Sequence, residues 1–212
     1  IGKMIKVNKF SKKTKQKLLE AIINIVEING WSSNVFQKLK NINIIKISDL
    51  MINFPDEDKD LLIFVINELN YLMEKKINKR DIMNLPISKR IKRILITRFE
   101  ILKNNKKFYK KTFNYLLLPK NIKLMKNNLY KSVDQMWYLA GDNSTDFNFY
   151  TKRLTLSFIY VNALFTFYKN DKSNVEDNLD INLKKISKIP KLKNKFVFIK
   201  DSFPFLLNKL LN

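Results

Sequence analysis

A chain of 212 residues that is 45% hydrophobic suits a single folded domain with a substantial core. It contains neither histidine nor cysteine, which excludes Ser-His-Asp and Cys-His nucleophiles, an imidazole base, and zinc sites with nitrogen or sulfur ligands. The formal net charge of +22 is compatible with nucleic acid, with an anionic membrane surface, or with lysine accumulated at tolerant surface positions.

The chain reads as a series of helices. Three glycines and five prolines leave few sites for the turns of a sheet, so we expect an all-α fold. Ser11 or Thr14 can begin the first helix, which Gly30 ends, and Ser48 is the predicted cap of the third. The acidic cluster at residues 56–60 is interpreted as the start of a helix and not as a metal site. Further helices are predicted over residues 33–39, 44–54, 58–77, 87–103, 106–117, 122–139, 145–168 and 174–187, with a loop over residues 78–86.

The first four predicted helices follow an order that resembles the amino-terminal half of TetR-family regulators, where the third helix reads DNA. Here the segment 47–54 carries Asp49 and no Lys or Arg, which leaves little to contact phosphates or guanine edges. We therefore predict a TetR-like bundle with a degenerate helix-turn-helix over residues 1–78. It continues into ligand-binding and dimerisation helices over residues 79–190, and the two parts form one structural domain. A DNA-binding transcription regulator with a hydrophobic effector pocket is the alternative.

The most distinctive segment runs from Asp134 to Arg153, where small polar residues lie between two aromatic clusters. Gly141 can provide the backbone by which one helix ends, and the polar residues after it can cap the next helix. On that next helix Asp146, Phe149, Tyr150 and Arg153 share one stripe. Such a composition, close to Trp137, is typical of a protein-binding hot spot, and an internal Asp–Arg contact is the alternative.

This segment resembles the signature of the coenzyme Q biosynthesis accessory proteins, the ninth member of that pathway's protein set. Phe149 departs from the signature, because most members carry Trp there. A weaker likeness extends from about Thr14 to about Ile189. The positions that match as they stand are Asp134, Trp137, Ala140, Gly141, Asp142, Ser144, Thr145, Asp146, Asn148, Tyr150, Thr151, Lys152 and Arg153.

The resemblance implies a non-enzymatic lipid-binding protein with a TetR-like fold, no cofactor and no metal. It would bind an isoprenoid ubiquinone precursor between its carboxy-terminal helices and present it to the di-iron demethoxyubiquinone hydroxylase. The TetR-like layout implies a homodimer through the carboxy-terminal helices. The predicted partner-binding residues are Asp146, Phe149, Tyr150, Arg153 and Trp137, and the predicted lipid-binding residues are Phe113, Leu117, Phe158 and Phe165. From the sequence alone, such apolar side chains are more typical of a core than of a pocket. The stripe formed by Phe147, Leu154, Phe158 and Val161 can also supply the core.

The tail over residues 191–212 can form a short amphipathic helix beside several lysines. The family resemblance implies that this helix contacts a membrane, and packing against the core or a second subunit is the alternative. No uncharged apolar run is long enough for a transmembrane helix. We expect peripheral attachment to an inner membrane, on the matrix side in a mitochondrion or the cytoplasmic side in a bacterium. The predicted membrane-contact residues are Phe203, Phe205, Leu206, Leu207 and Leu210.

Overall fold

The computed structural model describes residues 10–31, 34–143, 147–169 and 175–187. Within these ranges the regular elements are α-helices and one 3-10 turn at Pro119–Asn121, which confirms the all-α prediction. The TetR-like arrangement stays a prediction. The helices are α1 (Lys12–Asn29), α2 (Val35–Ile42), α3 (Ile47–Asn53), α4 (Glu57–Lys76), α5 (Lys79–Met83), α6 (Ile87–Asn104), α7 (Lys106–Leu116), α8 (Ile122–Leu139), α9 (Phe147–Lys169) and α10 (Val175–Ser187).

Both ends of α1 are set by the residues that the sequence indicates. The Ser11 side chain accepts a hydrogen bond from the backbone N–H of Thr14 at 3.1 Å, which satisfies one of the unpaired donors of the first turn. Gly30 ends the helix with a φ of 77°, and its N–H donates to the Val26 carbonyl at 2.9 Å.

Several predicted boundaries are wrong. Helix α2 ends at Ile42 and not at residue 39, and α3 follows Lys46, whose carbonyl accepts from the Leu50 N–H at 3.0 Å, so Ser48 is not its cap. The predicted loop over residues 78–86 contains the short helix α5. This helix forms because the Asn78 side chain accepts from the Arg80 N–H at 3.1 Å and because Ile82 is buried against the core.

The acidic cluster does begin a helix, and it also joins α4 to the residues before it. The Asp58 carboxylate accepts from the Phe36 N–H at 2.6 Å, and the Asp60 carboxylate accepts from the Asp56 N–H at 2.7 Å. Burial raises the pKa of both carboxyl groups, although these backbone donors oppose the increase. The cluster is therefore a set of helix-terminal contacts that orders the α2–α4 region.

The centre of the molecule is formed by α4, α6, α8 and α9, which pack on one another, while α1 packs on α7. Trp31, just after α1, is buried, and its indole N–H donates to the Thr112 hydroxyl of α7 at 2.9 Å. This contact fixes the end of α1 against α7. None of the helices in the described ranges combines the length and the hydrophobicity needed to cross a membrane.

Helix α9 has apolar side chains on two faces. One face is buried between α8 and α10 and includes Leu156, Ile159 and Phe167. The other face carries the stripe that begins at Phe147, for which the sequence also allowed a position in the core. There Leu154, Phe158 and Val161 are only half-buried and line an open groove, so they do not belong to the closed core. The side chain of Phe147 lies outside the described residues.

Candidate functional site

An apolar groove of about 420 Å³ runs between α8 and α9. Three of the four predicted lipid-binding residues, Leu117, Phe158 and Phe165, line it. The fourth, Phe113, lies behind the groove, where its ring packs edge-on against Phe165 with centroids 5.0 Å apart. The remaining lining residues are Ile122, Met125, Lys126, Leu129, Tyr130, Tyr150, Arg153, Leu154, Ser157 and Val161.

The groove has the size and chemistry of a small-molecule site. Its volume falls within the roughly 300–1,000 Å³ that is usual for such sites, and its surface is mostly aliphatic and aromatic. The few polar groups include Tyr150, Arg153 and Ser157, which follow one another along α9. This arrangement can remove an apolar chain from water and leave polar atoms at one side of it.

The joint between α8 and α9 is built around the buried guanidinium of Arg153, which is 4% exposed. Its Nε donates to the Asp134 carboxylate at 2.6 Å, and a terminal nitrogen donates to the Asp142 carboxylate at 3.2 Å. Asp142 also accepts from the Lys152 ammonium at 2.7 Å. The guanidinium lies 3.3 Å from the centroid of the Phe149 ring. These contacts lock the loop between the helices to both of them.

The predicted docking stripe is therefore divided by the structure. Arg153 faces inward because two carboxylates neutralise it there, so its assignment to an exposed contact surface needs correction. Trp137 is half-buried and donates its indole N–H to the Lys152 carbonyl at 3.1 Å, and Phe149 is half-buried beneath Arg153. Tyr150 is 63% exposed, and Asp146 lies outside the described residues.

A second cleft, wide open and about 460 Å³ in volume, lies on the other side of the Arg153 joint. Tyr138 lines it and is 64% exposed, although the sequence did not single this residue out as a contact. Its position one residue after Trp137, at the end of an amphipathic helix, is the feature of the sequence from which this contact could have been predicted. Arg153 lines both this cleft and the apolar groove, so it is part of the wall between them. The other lining residues are Lys131, Asp134, Gln135, Asp142 and Phe149.

Gly141 has the positive φ, 81°, that its predicted role requires. A Cβ atom at this position would lie 2.9 Å from Cε of Met83 and 3.1 Å from a terminal nitrogen of Arg90. Arg90 donates to the Ala140 carbonyl at 2.9 Å and to the Met83 carbonyl at 2.7 Å. No local sequence pattern indicates this role for Arg90, because its partners come from separate helix ends.

The predicted membrane-contact residues Phe203, Phe205, Leu206, Leu207 and Leu210 lie outside the described residues. Within the described ranges, no group of carboxylates is arranged to hold a metal ion.

The region of this site is similar to a known protein family. The family model described as COQ9 matches residues 122–192, a range that includes α8, α9 and the joint between them. The chain is 25% identical over 169 residues to the mitochondrial ubiquinone biosynthesis protein COQ9 of Bos taurus, covering 76% of this chain and 52% of that protein. The Rattus norvegicus protein of the same name is also 25% identical, with 76% and 54% coverage.

A more distant organism gives the same result. The probable ubiquinone biosynthesis protein coq9, mitochondrial, of Dictyostelium discoideum is 26% identical over 164 residues, covering 70% of this chain and 50% of that protein. The chain spans about half the length of the curated relatives it matches. The chain is therefore similar to the COQ9 family model over α8, α9 and the joint between them, and similar to curated COQ9 proteins over 76% of its length.

Proposed function

We propose that this protein takes part in ubiquinone biosynthesis as a non-enzymatic accessory protein. It binds the isoprenoid chain of a polyprenylated quinone intermediate in the groove between α8 and α9. It presents the headgroup to the di-iron demethoxyubiquinone hydroxylase, which docks at the open cleft. The observation that carries the proposal is that Arg153 lines both the groove and the cleft, so the lipid and the partner would meet at one joint.

The chemistry of the groove supports a lipid chain as its ligand. Apolar surface that stays accessible in a monomer is costly unless a ligand, a membrane or a partner covers it. Leu154, Phe158 and Val161 are half-buried on α9 and line the groove together. A flexible apolar chain fits a groove of this kind without needing polar partners along its length.

The surface around the cleft supports a protein partner. Tyr138 lines the cleft, Tyr150 lines the adjoining groove, and both are exposed. Tyrosine is enriched in binding hot spots because it brings a rigid apolar ring and one polar group. Phe149, which stands where most family members carry Trp, keeps the aromatic bulk but lacks an N–H donor. The absence of histidine and cysteine from the whole sequence is in keeping with an accessory role beside an enzyme.

The proposal also covers the cellular location and the oligomeric state of the protein. The curated relatives are named as mitochondrial ubiquinone biosynthesis proteins. We place this chain peripherally on the inner membrane, on the matrix side, as a homodimer that contacts the lipid surface through residues 203–210. DNA binding is not proposed, because the exposed side chains of α3 include the apolar Ile47, Met51 and Ile52, and the helix carries no basic residue.

Partner docking is tested with the purified hydroxylase in a biosensor binding measurement. Tyr138→Ala should weaken binding at least about tenfold, as expected for a hot-spot aromatic, and the melting temperature should stay unchanged because the side chain is exposed. Tyr71→Ala is the matched control, since Tyr71 is an exposed tyrosine on α4 that lies outside the cleft. Equal binding by Tyr138→Ala and the unaltered protein would refute docking at this cleft.

Lipid binding is tested separately by calorimetric titration with farnesol, a neutral isoprenoid alcohol. Phe158→Glu places a carboxylate in the groove and should reduce affinity at least about tenfold, because burial of that charge opposes binding. Ile181→Glu is the control, as Ile181 is exposed on α10 and does not line the groove. If farnesol does not bind the unaltered protein, or if Phe158→Glu binds it equally well, the groove is not the lipid site.

A further inference from the structure

A second buried arginine, Arg98 of α6, lies where the four central helices meet and is 2% exposed. Its Nε donates to the Tyr160 hydroxyl of α9 at 2.6 Å, and a terminal nitrogen donates to the Asn70 side-chain oxygen of α4 at 2.7 Å. The other terminal nitrogen lies 3.4 Å from the Ser132 hydroxyl of α8. All three of these partners are neutral.

No carboxylate of the described residues lies within salt-bridge distance of Arg98. A guanidinium carries a full positive charge, so the groups around Arg98 have to compensate for the water that burial removes. Hydrogen bonds to neutral groups compensate only part of the loss of water around a charge. Arg98 is thus a buried cation without a counter-ion among the described residues.

Arg98 lines a small inner chamber of about 80 Å³. Tyr109 and Tyr168 line the same chamber, and neither hydroxyl has a hydrogen-bond partner among the described residues. Burial raises the pKa of Tyr109 to about 12 and raises the pKa of Tyr168 further, so both side chains remain protonated near neutral pH. The chamber therefore offers one cation and, from Tyr109 and Tyr168, two neutral O–H groups that make no hydrogen bond to the described residues.

The inner chamber adjoins the apolar groove. Met125, Leu129 and Val161 line both spaces and form the wall that the two share. Methionine side chains are flexible, so movement of Met125 is a low-cost way to join the two spaces. A molecule with an apolar chain in the groove would then reach Arg98 with its polar end.

The size of the chamber restricts what that end can be. A benzene ring occupies a cavity of roughly 150 Å³, whereas a water molecule takes about 30 Å³ in the liquid. The inner chamber, at about 80 Å³, lies between these values. A single carboxylate fits such a space.

We propose that the Arg98 chamber binds the carboxylate headgroup of an amphiphile whose apolar chain lies in the groove between α8 and α9. The inference rests on the proposed function, because it requires that the groove hold a lipid chain. A carboxylate would supply the counter-ion that the described residues do not give Arg98, and it can accept further hydrogen bonds from Tyr109 and Tyr168. Both a fatty acid and a prenylated aromatic acid carry this group.

The test compares dodecanoate with dodecanol by calorimetric titration of the full chain. Dodecanoate should bind at least about tenfold more tightly, because a hydrogen bond to a charged group contributes more than one between neutral groups. Arg98→Met should remove this difference and leave dodecanol binding within about twofold, since the apolar groove is unchanged. Arg93→Met, an exposed arginine on the same helix, is the control and should behave like the unaltered protein.

A second variant keeps the test valid if Arg98→Met does not fold. Tyr109→Phe removes one hydroxyl from the chamber and disturbs none of the hydrogen bonds of Arg98. It should weaken the binding of dodecanoate several-fold, which corresponds to the loss of one hydrogen bond to a charged group, and it should leave the affinity for dodecanol unchanged. Equal affinities for the acid and the alcohol, or selectivity for the acid that survives both variants, would overturn the inference.

The outcomes separate the two proposals. If dodecanol and farnesol bind but dodecanoate binds no more tightly, the carboxylate site is refuted and the lipid groove stands. If none of the three binds, the groove itself fails as a lipid site. A farnesyl-substituted benzoate distinguishes the sources of the carboxylate: an Arg98-dependent affinity above that of dodecanoate assigns a prenylated aromatic acid, and a lower affinity assigns a fatty acid.

Discussion

Two arginine side chains are buried in the part of the chain that the structure describes, and their surroundings are opposite. Arg153 contacts two carboxylates, Asp134 and Asp142, at the joint between α8 and α9. Arg98 contacts only neutral groups at the centre of the bundle, beside an inner chamber. A buried charge that is neutralised inside the chain serves the fold, whereas one that is not neutralised remains available to a ligand.

This difference also separates the residues that resemble the family signature from those that do not. Asp134, Asp142 and Arg153 belong to the signature, and in the structure they hold the joint together. Exposed tyrosines beside this joint are the groups that a partner could contact. Arg98 lies outside the signature, and its significance is visible only from its tertiary contacts.

The largest effect on stability is expected for Arg153→Met. Removal of Arg153 leaves Asp142 with only part of its compensation, and breaking a buried ion pair in this way costs about 3–5 kcal/mol. Urea unfolding followed by circular dichroism measures the free energy of unfolding. Arg93→Met, on an exposed part of α6, serves as the control. A loss below about 1 kcal/mol would mean that the Arg153 joint is not a structural contact.

An intermediate loss of stability is expected for Gly141→Ala, which tests the loop that brings Asp142 to Arg153. The positive φ of 81° costs a residue with a Cβ about 1–2 kcal/mol, and the new atom also meets Met83 at 2.9 Å. The melting temperature should fall, and addition of Met83→Ala should recover part of the loss. If the double variant is no more stable than Gly141→Ala, contact with Met83 does not contribute.

The smallest effect is expected for Arg98→Met. The variant loses hydrogen bonds to Tyr160 and Asn70, but it no longer buries an unpaired charge. Because these two effects oppose each other, its free energy of unfolding should stay within about 1 kcal/mol of that of the unaltered protein. The same urea experiment measures it. A loss as large as that of Arg153→Met would erase the distinction between the two arginines and would make Arg98 a structural residue.

Sequence patterns predicted the parts of the fold that depend on neighbouring residues. Ser11 and Gly30 set the ends of α1 because caps act within one turn. The short helix α5 was missed because its evidence is a single cap at Asn78 and one buried residue, Ile82. The two apolar faces of α9 explain why periodicity could not decide between core and groove.

The chemistry of the site depends on contacts between distant residues, which periodicity does not encode. The stripe on α9 brought Tyr150 and Arg153 to one region. The carboxylates that neutralise Arg153 lie outside α9, because Asp134 is on α8 and Asp142 is in the loop that follows α8. The sequence around Arg98 does not distinguish it from the other basic residues of α6. Its partners Asn70 and Tyr160 come from helices far away in the chain, so its burial without a carboxylate had no local signal.

The two tryptophans of this chain are placed so that their fluorescence reports on separate regions. Trp31 is buried, and its indole N–H is bonded to Thr112 between α1 and α7. Trp137 is half-buried at the α8–α9 joint, with its indole N–H bonded to the Lys152 carbonyl and the Lys152 ammonium 5.6 Å from its ring centroid. Emission from Trp137 therefore provides an optical signal for events at the joint, while Trp31 supplies an internal reference from the opposite half of the same molecule.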